Sequence, residues 1–433
     1  MKRIIAILSV IVILLTCFSG CGKKSELSSS EPVTLTMWHV YGEQADSPMN
    51  KLVDEFNRTV GKENGVIINV TLMTNASMVG PQLLEAQADE PGAPEMPDLF
   101  FCHNNNAQAL GKENLVNWND HFTTDELSDI VPEFLSDGMV EDYLAVFPVS
   151  KSTHLLFMAG GVFDRFSKDT GVTFDDLTTW SGFFDAAEKY YEWSGGKPFC
   201  AIDYLVRCVE LNALSKGSGD FYTEDGWYDF SNEGFKSSFM EFAQAIAKGH
   251  IVVSDLYSNT QVMTGEVASG IGSSASILYY NDTITYSDNT KEPMDLVVLP
   301  LPCAGVGERF VTQAGVGLCA YNTTSKKAEA AYIFVKWFTE SNRNLDFVAE
   351  TGYMPVRKDA FEKIGDYEFK NADYESLYDA IEKTNDTCVA LTEPNFDGYY
   401  NKIYKLYDAI RLVQKGTEEV GADYLWEIFT SVE

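Results

Sequence analysis

Strand-like and helix-like segments alternate along the first third of the chain, and this alternation restricts the folds open to it. Alternating apolar residues predict a strand over 34–40, and a β-branched run predicts another over 66–72. A helix begins between them at Ser47, and a second helix over 78–89 leads to a short apolar strand at 98–101. Strand, helix, strand, helix, strand predicts a parallel sheet with crossover helices, which is an α/β fold.

The remainder of the chain is richer in amphipathic helices. Apolar residues at helical spacing predict helices over 174–193, 232–248, 325–339, 373–383 and 399–413. The chain has 433 residues, which is more than one hydrophobic core normally serves. We therefore expect two domains.

The N-terminus has the layout of a secretory signal. A positively charged start precedes an apolar run over 4–15, which is too short to cross a bilayer as a permanent helix of roughly 20 residues. The sequence Phe18-Ser-Gly-Cys21 resembles the lipobox of bacterial lipoproteins, whose cysteine is acylated after cleavage. We predict a signal peptide over 1–20, lipidation of Cys21 and a Ser-rich flexible tether over 21–31. An ordinary signal peptide with a chance cysteine is the alternative.

The net charge argues against one class of partner. The chain carries 64 acidic and 32 basic residues, a net charge of −32, and removal of Lys2 and Arg3 with the signal makes it −34. A polyanion repels nucleic acid, whose binding requires clustered Lys and Arg. We expect these charges to form a solvated surface.

The sequence carries none of the common catalytic or metal-binding motifs, neither CxxC, HxxxH and HExxH nor GxSxG and a P-loop. We therefore predict no metal, no cofactor and no enzymatic activity. A secreted hydrolase with two carboxylates at glycosidase spacing is the alternative. Six cysteines follow Cys21, and disulfides and free thiols both remain open for them, with Cys200 and Cys208 the closest pair.

Seven short stretches follow one another in the order and spacing of a known family. They are TLTMWH at 34–39, MPDLFF at 96–101, FPVSKST at 147–153, TGEVASGIGSSA at 264–275, VLPLP at 298–302, QAGVG at 313–317 and TGYMPVR at 351–357. Together they resemble family 1 extracellular solute-binding proteins of ABC importers, the group that holds maltose-binding and glycerol-3-phosphate-binding proteins.

The resemblance implies a two-lobe fold of the periplasmic-binding-protein-like type II, with a mainly parallel sheet flanked by helices in each lobe and hinge strands between the lobes. We place lobe 1 at 32–149 and 310–352, and lobe 2 at 150–309 and 353–433. The resemblance also implies a lipid-anchored monomer on the extracellular face of the cell membrane. Such a protein captures a carbohydrate and delivers it to the permease subunits of an ABC transporter.

Candidate ligand-binding residues come from the loops that follow strands, because ligands of open α/β sheets bind beyond the carboxyl ends of the strands. They are Trp38, His39, Tyr41, Glu43, His103, Asn104, Asn105, Ser152, Thr153, Ser273, Ser274, Ser276, Gln313, Gly315, Tyr353 and Arg357. Their hydroxyl and amide groups donate and accept hydrogen bonds, as a polyol requires, and their aromatic faces suit sugar rings. Structural roles are the alternative for several: core packing for Trp38, a turn for Asn104 and an ion pair for Arg357.

Two further functions stay open at this stage. A phosphorylated polyol, such as glycerol-3-phosphate or a glycerophosphodiester, is suggested by Ser152, Thr153 and the turn at 272–274, which resemble the glycerol-3-phosphate branch. The triple-glycine strand of that branch reads Gln313-Ala-Gly here, which argues against phosphate. A ligand-sensing subunit for a membrane kinase would share the same fold.

Overall fold

The computed structural model describes residues 25–41, 47–73, 76–255, 257–387, 389–391, 399–416 and 421–432. Its strands are β1 (Val33–His39), β2 (Val66–Leu72), β3 (Leu99–Cys102), β4 (Met139–Val140), β5 (Tyr143–Leu144), β6 (His154–Ala159), β7 (Cys200–Ile202), β8 (Ile251–Val253), β9 (Ser269–Ser273), β10 (Thr283–Thr285), β11 (Lys291–Pro293), β12 (Leu296–Pro300), β13 (Phe310–Thr312), β14 (Gly317–Ala320) and β15 (Val389–Leu391). The predicted lipid site Cys21 and the candidate Glu43 lie outside the described residues.

The helices surround two main sheets. They are α1 (Pro48–Arg58), α2 (Val60–Asn64), α3 (Ala76–Gln87), α4 (Asn104–Leu110), α5 (Thr124–Leu127), α6 (Pro132–Asp137), α7 (Gly160–Thr170), α8 (Trp180–Ser194), α9 (Leu205–Ser215), α10 (Glu233–Ala247), α11 (Ser258–Met263), α12 (Ser325–Phe338), α13 (Ser341–Thr351), α14 (Lys358–Phe361), α15 (Ala372–Thr387), α16 (Tyr399–Gln414) and α17 (Ala422–Thr430). Short 3₁₀ helices occur at Lys112–Asn114, Trp118–Asp120, Phe174–Thr178, Ser274–Tyr279 and Ile364–Asp366.

The first sheet has the strand order β14-β3-β1-β2. Strand β1 is parallel to both of its neighbours, whereas β14 is antiparallel to β3. The alternation in β1 explains its orientation, because Leu35 and Met37 are fully buried while Thr34 and Thr36 face solvent. The predicted parallel sheet with crossover helices is therefore present in this part of the chain.

The second sheet has the order β12-β6-β9-β7-β8. Strand β6 is antiparallel to β12 and to β9, and β7 is parallel to β8 and to β9. Four strands thus share one direction and β6 runs against them. The first sheet thus has one reversed strand, β14, and the second sheet has one, β6. Each of these two strands begins at the junction between the sheets.

Three chain segments cross between the two sheets. They are joined by antiparallel bridges between Phe147 and Leu318, between Ser152 and Ala314, and between Lys151 and Met354. Lys151 is buried and forms an ion pair with Asp137 at the end of α6. The FPVSKST stretch at 147–153 is therefore paired with the segment 314–318, which overlaps the QAGVG stretch, and a third segment lies beside them.

The pairings move two of the predicted lobe boundaries. Strand β13, assigned to lobe 1 from residue 310, instead pairs with β15 and contacts α9. Residues 353–361, assigned to lobe 2, stay with lobe 1, because the Val131 N–H donates to the Val356 carbonyl and α14 packs on α13. The chain returns to the second sheet with α15, which packs on β12.

One predicted helix is divided in two. The segment 174–193 forms a 3₁₀ turn and then α8, because Thr179 between them is extended, with φ −123° and ψ 151°. The Thr179 hydroxyl accepts a hydrogen bond from the Gly182 N–H and so caps α8. Similarly, the Thr324 hydroxyl accepts a hydrogen bond from the Lys327 N–H and caps α12.

The predicted flexible tether differs from the structure in its second half. Residues 25–31 lie against lobe 1, where the Ser325 hydroxyl donates to the Glu26 carboxylate and Leu27 packs on the core. Within the described parts of the chain, no helix is both long and apolar enough to span a bilayer. The five described cysteines after Cys21 are free thiols: Cys102, Cys200, Cys208, Cys303 and Cys319.

Candidate functional site

The crossing segments gather six of the candidate residues at the junction of the lobes. Ser152 and Ala314 exchange two backbone hydrogen bonds of 2.9 Å, and the Ser274 N–H donates to the Thr153 carbonyl at 2.8 Å. Gln313 and Gly315 flank Ala314, and Tyr353 follows Gly352, which lies against Ser274. We call the resulting group the hinge cluster: Ser152, Thr153, Ser274, Gln313, Gly315 and Tyr353.

Gly315 has a backbone conformation that only glycine adopts without strain. Its φ is +111°, in the region that side chains with a Cβ rarely adopt. A Cβ at this position would lie 3.8 Å from the Ser152 nitrogen and 3.9 Å from the Tyr353 ring. The glycine therefore leaves backbone and ring surface open beside the hinge cluster.

Polar atoms of the hinge cluster are buried without a hydrogen-bond partner. They are Thr153 Oγ1, Ser274 Oγ and Gln313 Oε1. The Gln313 amide nitrogen donates to the Glu133 carbonyl at 3.1 Å, which fixes the direction of its oxygen. A buried polar atom left unpaired costs about 1–3 kcal/mol. Three such atoms on neighbouring segments of the junction offer donors and acceptors to a polar ligand.

Aromatic rings support the cluster from the lobe 1 side. Tyr41 is buried, and its ring meets the Tyr353 ring edge-on with 5.6 Å between centroids. The Tyr41 hydroxyl is hydrogen-bonded to Ser150 Oγ at 2.8 Å. Burial raises the pKa of Tyr353 to about 12, and the neighbouring Tyr279 adds to this rise. Tyr41 therefore positions Tyr353, whose neutral ring is the one next to Gly315.

Lobe 2 adds residues that the sequence analysis missed. His154, the first residue of β6, stacks on Tyr204 with 4.0 Å between ring centroids and 10° between planes. Its Nδ1 atom is also buried without a partner. Tyr279, at the end of the 3₁₀ helix after β9, is 66% exposed. Tyr204 follows β7, which has only three residues and gives no periodic signal, so its place at a strand end was not visible from sequence.

Burial makes His154 a neutral group in the folded protein. Desolvation, and next the charge of Arg207, lower its pKa to about 3. The unfolded chain therefore binds a proton near pH 6.5 that the folded chain binds only near pH 3. The proton that only the unfolded chain binds lowers the free energy of unfolding. This loss is absent above pH 6.5 and grows as the pH falls toward 3.

We expect this pH dependence to disappear when His154 is replaced by glutamine. The free energy of unfolding of the natural chain should fall relative to His154→Gln by about 1.4 kcal/mol per pH unit below pH 6.5. Urea unfolding of both chains at pH 7, 6 and 5 measures the difference, and other titrating groups cancel in the comparison. Parallel pH profiles for the two chains would contradict the buried, neutral histidine.

Other candidates from the first strand serve the core of lobe 1. Trp38 is buried in a cluster with Val79 and Phe100. His39 is fully buried, with Nε2 at 2.9 Å from Asn50 Oδ1 and Nδ1 accepting from the Tyr41 N–H. Burial lowers the pKa of His39. The structure therefore places these two residues behind the hinge cluster rather than in it.

The candidates that follow β3 also have structural partners. Asn104 donates to the carbonyls of Asp137 and Met139 and accepts from Gln108. Asn105 accepts from its neighbour's N–H, and His103 stands before the first residue of α4. The expectation that Asn104 would be free for a ligand is thus not supported, because its amide is used within lobe 1.

The last candidates divide between the turn after β9 and the surface. Ser273 accepts from the Ala275 N–H, while Ser276 Oγ lies beside Gly272. Arg357 pairs with Asp129, 2.8 Å between Nε and Oδ2, which is the surface ion pair weighed as an alternative. The structure does not bring Arg357 to the hinge cluster.

Three basic side chains near the junction are paired with acids, whereas Arg309, in the return crossing, has a buried Nε atom without a hydrogen-bond partner. Lys151 pairs with Asp137, and Arg207 pairs with Glu210 in the core of lobe 2. With Arg357 held by Asp129, none of these three cations is left to offset the charge of an anionic ligand. The hinge cluster itself contains only neutral side chains, so its geometry suits a neutral, hydroxyl-rich molecule.

Comparisons with known structures agree on the fold. A cyclic α-maltosyl-1,6-maltose binding protein from Arthrobacter globiformis is 18% identical, with a TM-score of 0.69 over 92% of this chain and 97% of that one. Maltose-bound MalE3 of T. maritima is 16% identical, with a TM-score of 0.67 over 92% and 98%. UgpB from Mycobacterium tuberculosis in complex with glycerophosphocholine is 16% identical, with a TM-score of 0.69 over 92% and 96%. The expected two-lobe, type II architecture is confirmed.

Sequence comparison supplies the family. No curated protein sequence matches the chain. The family described as "Bacterial extracellular solute-binding protein" matches residues 51–374, which is most of the chain. This match confirms the resemblance seen in the seven collinear stretches, and the protein belongs to the bacterial extracellular solute-binding proteins.

Proposed function

We propose that the protein captures a neutral carbohydrate between its two lobes and delivers it to the permease of an ABC importer. The observation that carries this proposal is that Thr153 Oγ1, Ser274 Oγ and Gln313 Oε1, on segments that meet at the junction, are each buried and unpartnered. A sugar hydroxyl both donates and accepts, so it can satisfy a serine or threonine hydroxyl and an amide oxygen at once.

The rings beside the cluster fit the same ligand. Tyr353 comes from the lobe 1 side, and Tyr204 stacks on His154 at the lobe 2 edge. Rings with an apolar face next to a few convergent polar groups are typical of small-molecule sites. Two of the structural neighbours are described as binding maltose or a cyclic maltosyl-maltose, which supports a saccharide here.

The second candidate ligand is a phosphorylated polyol. One structural neighbour was solved with glycerophosphocholine, so the fold accommodates such a molecule. A phosphate would need donors that offset its charge. Lys151, Arg207 and Arg357 are each paired with a carboxylate, and the hinge cluster contains only neutral side chains, so we favour the neutral ligand; Arg309, whose Nε is unpartnered, is the cation that a phosphate would use.

A ligand panel with one matched pair of variants tests the proposal. Maltose, cellobiose, xylobiose, glycerol-3-phosphate and glycerophosphocholine are screened by thermal shift, and hits are titrated by calorimetry. Ser274→Ala should weaken sugar binding by about 1 kcal/mol, roughly fivefold, because it removes one hydroxyl contact. Ser238→Ala is the control, since Ser238 Oγ is equally buried and unpartnered but lies on α10. Stabilisation by the phosphate esters alone would reverse the choice of ligand.

We also propose that the chain functions as a capture subunit and not as an enzyme, and that it acts as a monomer. The family match supports solute binding. A sensing role with a membrane kinase uses the same ligand-binding step. Deleting the gene of this chain in cells that express the sugar's transporter constitutively separates the two, because uptake is then lost only if the chain feeds the importer.

The anchor is proposed to be lipid on Cys21, after removal of residues 1–20 as a signal peptide, which holds the protein at the extracellular face. The support is the Phe18–Cys21 motif followed by a Ser-rich segment. Cys21→Ala should release the protein into the medium or leave it unprocessed. Normal processing with unchanged membrane retention in that variant would contradict lipidation.

A further inference from the structure

The segment that follows the proposed lipid site is folded onto lobe 1. The Ser325 hydroxyl donates to both carboxylate oxygens of Glu26 at 3.0 Å, and the Glu26 N–H donates to Glu329 Oε2 at 3.0 Å. Both partners lie in the first turns of α12, where an acidic side chain is favourably placed. We call residues 25–31 the strap.

Two further contacts hold the rest of the strap. Leu27 packs against the hydrophobic core of lobe 1, and Lys326 Nζ donates to the Glu31 carbonyl at 3.2 Å. The Ser28 carbonyl lies over Gly65, so closely that a Cβ there would come within 2.1 Å of it. The glycine at the end of α2 therefore gives the strap its path, which continues directly into β1.

The contacts shorten the reach of the anchor. An extended chain spans at most about 3.5 Å per residue, so the four residues from Cys21 to Ser25 span about 14 Å. If the segment were free as far as Val33, the twelve residues from Cys21 could reach about 40 Å. Docking of the strap thus changes how far lobe 1 can move from the membrane and which of its faces points there.

We propose that the strap holds lobe 1 against the bilayer, with the face around Gly65 and Ser325 toward the lipid, while lobe 2 points away and closes over the ligand. This inference rests on the lipidation proposed above. Charge alone would not orient this face, because the exposed Lys62 and the half-buried Lys326 are accompanied by Glu63 and Glu329. The orientation therefore depends on the strap contacts and should persist at high salt.

Hydrogen exchange of the full chain in detergent tests docking without reference to the membrane. The backbone amides of Glu26 and Glu31, which donate to Glu329 Oε2 and to the Ser28 carbonyl, should exchange at least about tenfold more slowly than in an unstructured peptide. The double substitution Glu26→Ala, Leu27→Ser should return them to the unstructured rate, whereas Leu412→Ser, at a 73% exposed position, should not. Unprotected amides in the natural chain would overturn the docked strap, whatever the state of Cys21.

Energy transfer on vesicles tests the orientation. The full chain carries a donor dye at Lys62→Cys or at Lys248→Cys, with Cys303 and Cys388 changed to serine, and phosphatidylcholine vesicles carry an acceptor lipid. Transfer from position 62 should exceed transfer from position 248, and the double substitution in the strap should remove the difference. Equal transfer in the natural chain would overturn the orientation. Failure to attach to vesicles would overturn lipidation, and with it the orientation, while leaving the exchange result for the strap intact.

Discussion

Replacing Tyr353 by alanine should weaken carbohydrate binding by about 1–3 kcal/mol, which is roughly five- to more than a hundredfold in the dissociation constant. The ring lies next to Gly315 and is held edge-on by Tyr41, so it presents a positioned face to the junction. The change is measured by calorimetry with the sugar that gives the largest thermal shift. Most of the loss should appear in affinity rather than in the melting temperature.

The control for this substitution is another tyrosine away from the junction. Tyr424, which is 50% exposed on α17, should tolerate alanine without a change in affinity. Tyr41→Phe tests whether the Tyr41 hydroxyl matters for the position of Tyr353. It removes the hydroxyl bonded to Ser150 but keeps the ring that packs on Tyr353. An unchanged dissociation constant in Tyr353→Ala would remove this ring from the proposed site.

Replacing Glu210 by alanine should reduce the free energy of unfolding by about 3–5 kcal/mol, because it leaves the Arg207 charge buried without its acid. Glu210 forms an ion pair with Arg207 and accepts hydrogen bonds from three tyrosines. One of these, Tyr399, belongs to α16, so the network ties a C-terminal helix to α9. Urea unfolding of the purified chain measures the loss.

A conservative variant keeps this second prediction specific. Glu210→Gln retains the shape and an acceptor oxygen but not the charge, so it should lose less stability than alanine and separate hydrogen bonding from ion pairing. A loss well under 1 kcal/mol in Glu210→Ala would mean that Arg207 finds solvent or another acid, which would contradict the buried network. The 190 Å³ cavity beside Arg207 and Glu210 is the place where water could enter in that case.

Elements with strong periodicity could be predicted from the sequence. The strand at 66–72 has the expected bounds, and the helix expected at 232–248 is α10, Glu233–Ala247. In α10 the apolar residues at helical spacing are the buried ones, whereas in the strand Ile67 and Val70 are exposed and the β-branched run itself carries the prediction. The division at Thr179 was missed because the apolar spacing continues across it, while the extended backbone there follows from capping.

The site could be predicted only in part, and the reason is physical. The crossing segments gave Ser152, Thr153, Gln313 and Gly315, since their strand ends must meet. Asn104 and Trp38 have suitable chemistry, but sequence does not reveal that backbone carbonyls and the lobe 1 core already engage them. His154 and Tyr204 depend on contact between β6 and the loop after a three-residue strand, which no local pattern encodes.

The central claim is that a neutral sugar binds at the hinge cluster between the two lobes. A crystal structure of the protein with the saccharide that stabilises it most tests this claim directly. We expect sugar hydroxyls within hydrogen-bond distance of Thr153 Oγ1, Ser274 Oγ and Gln313 Oε1, with a ring against Tyr353. A sugar bound elsewhere, or a hinge cluster occupied by a phosphate ester paired with Lys151 or Arg207, would contradict it.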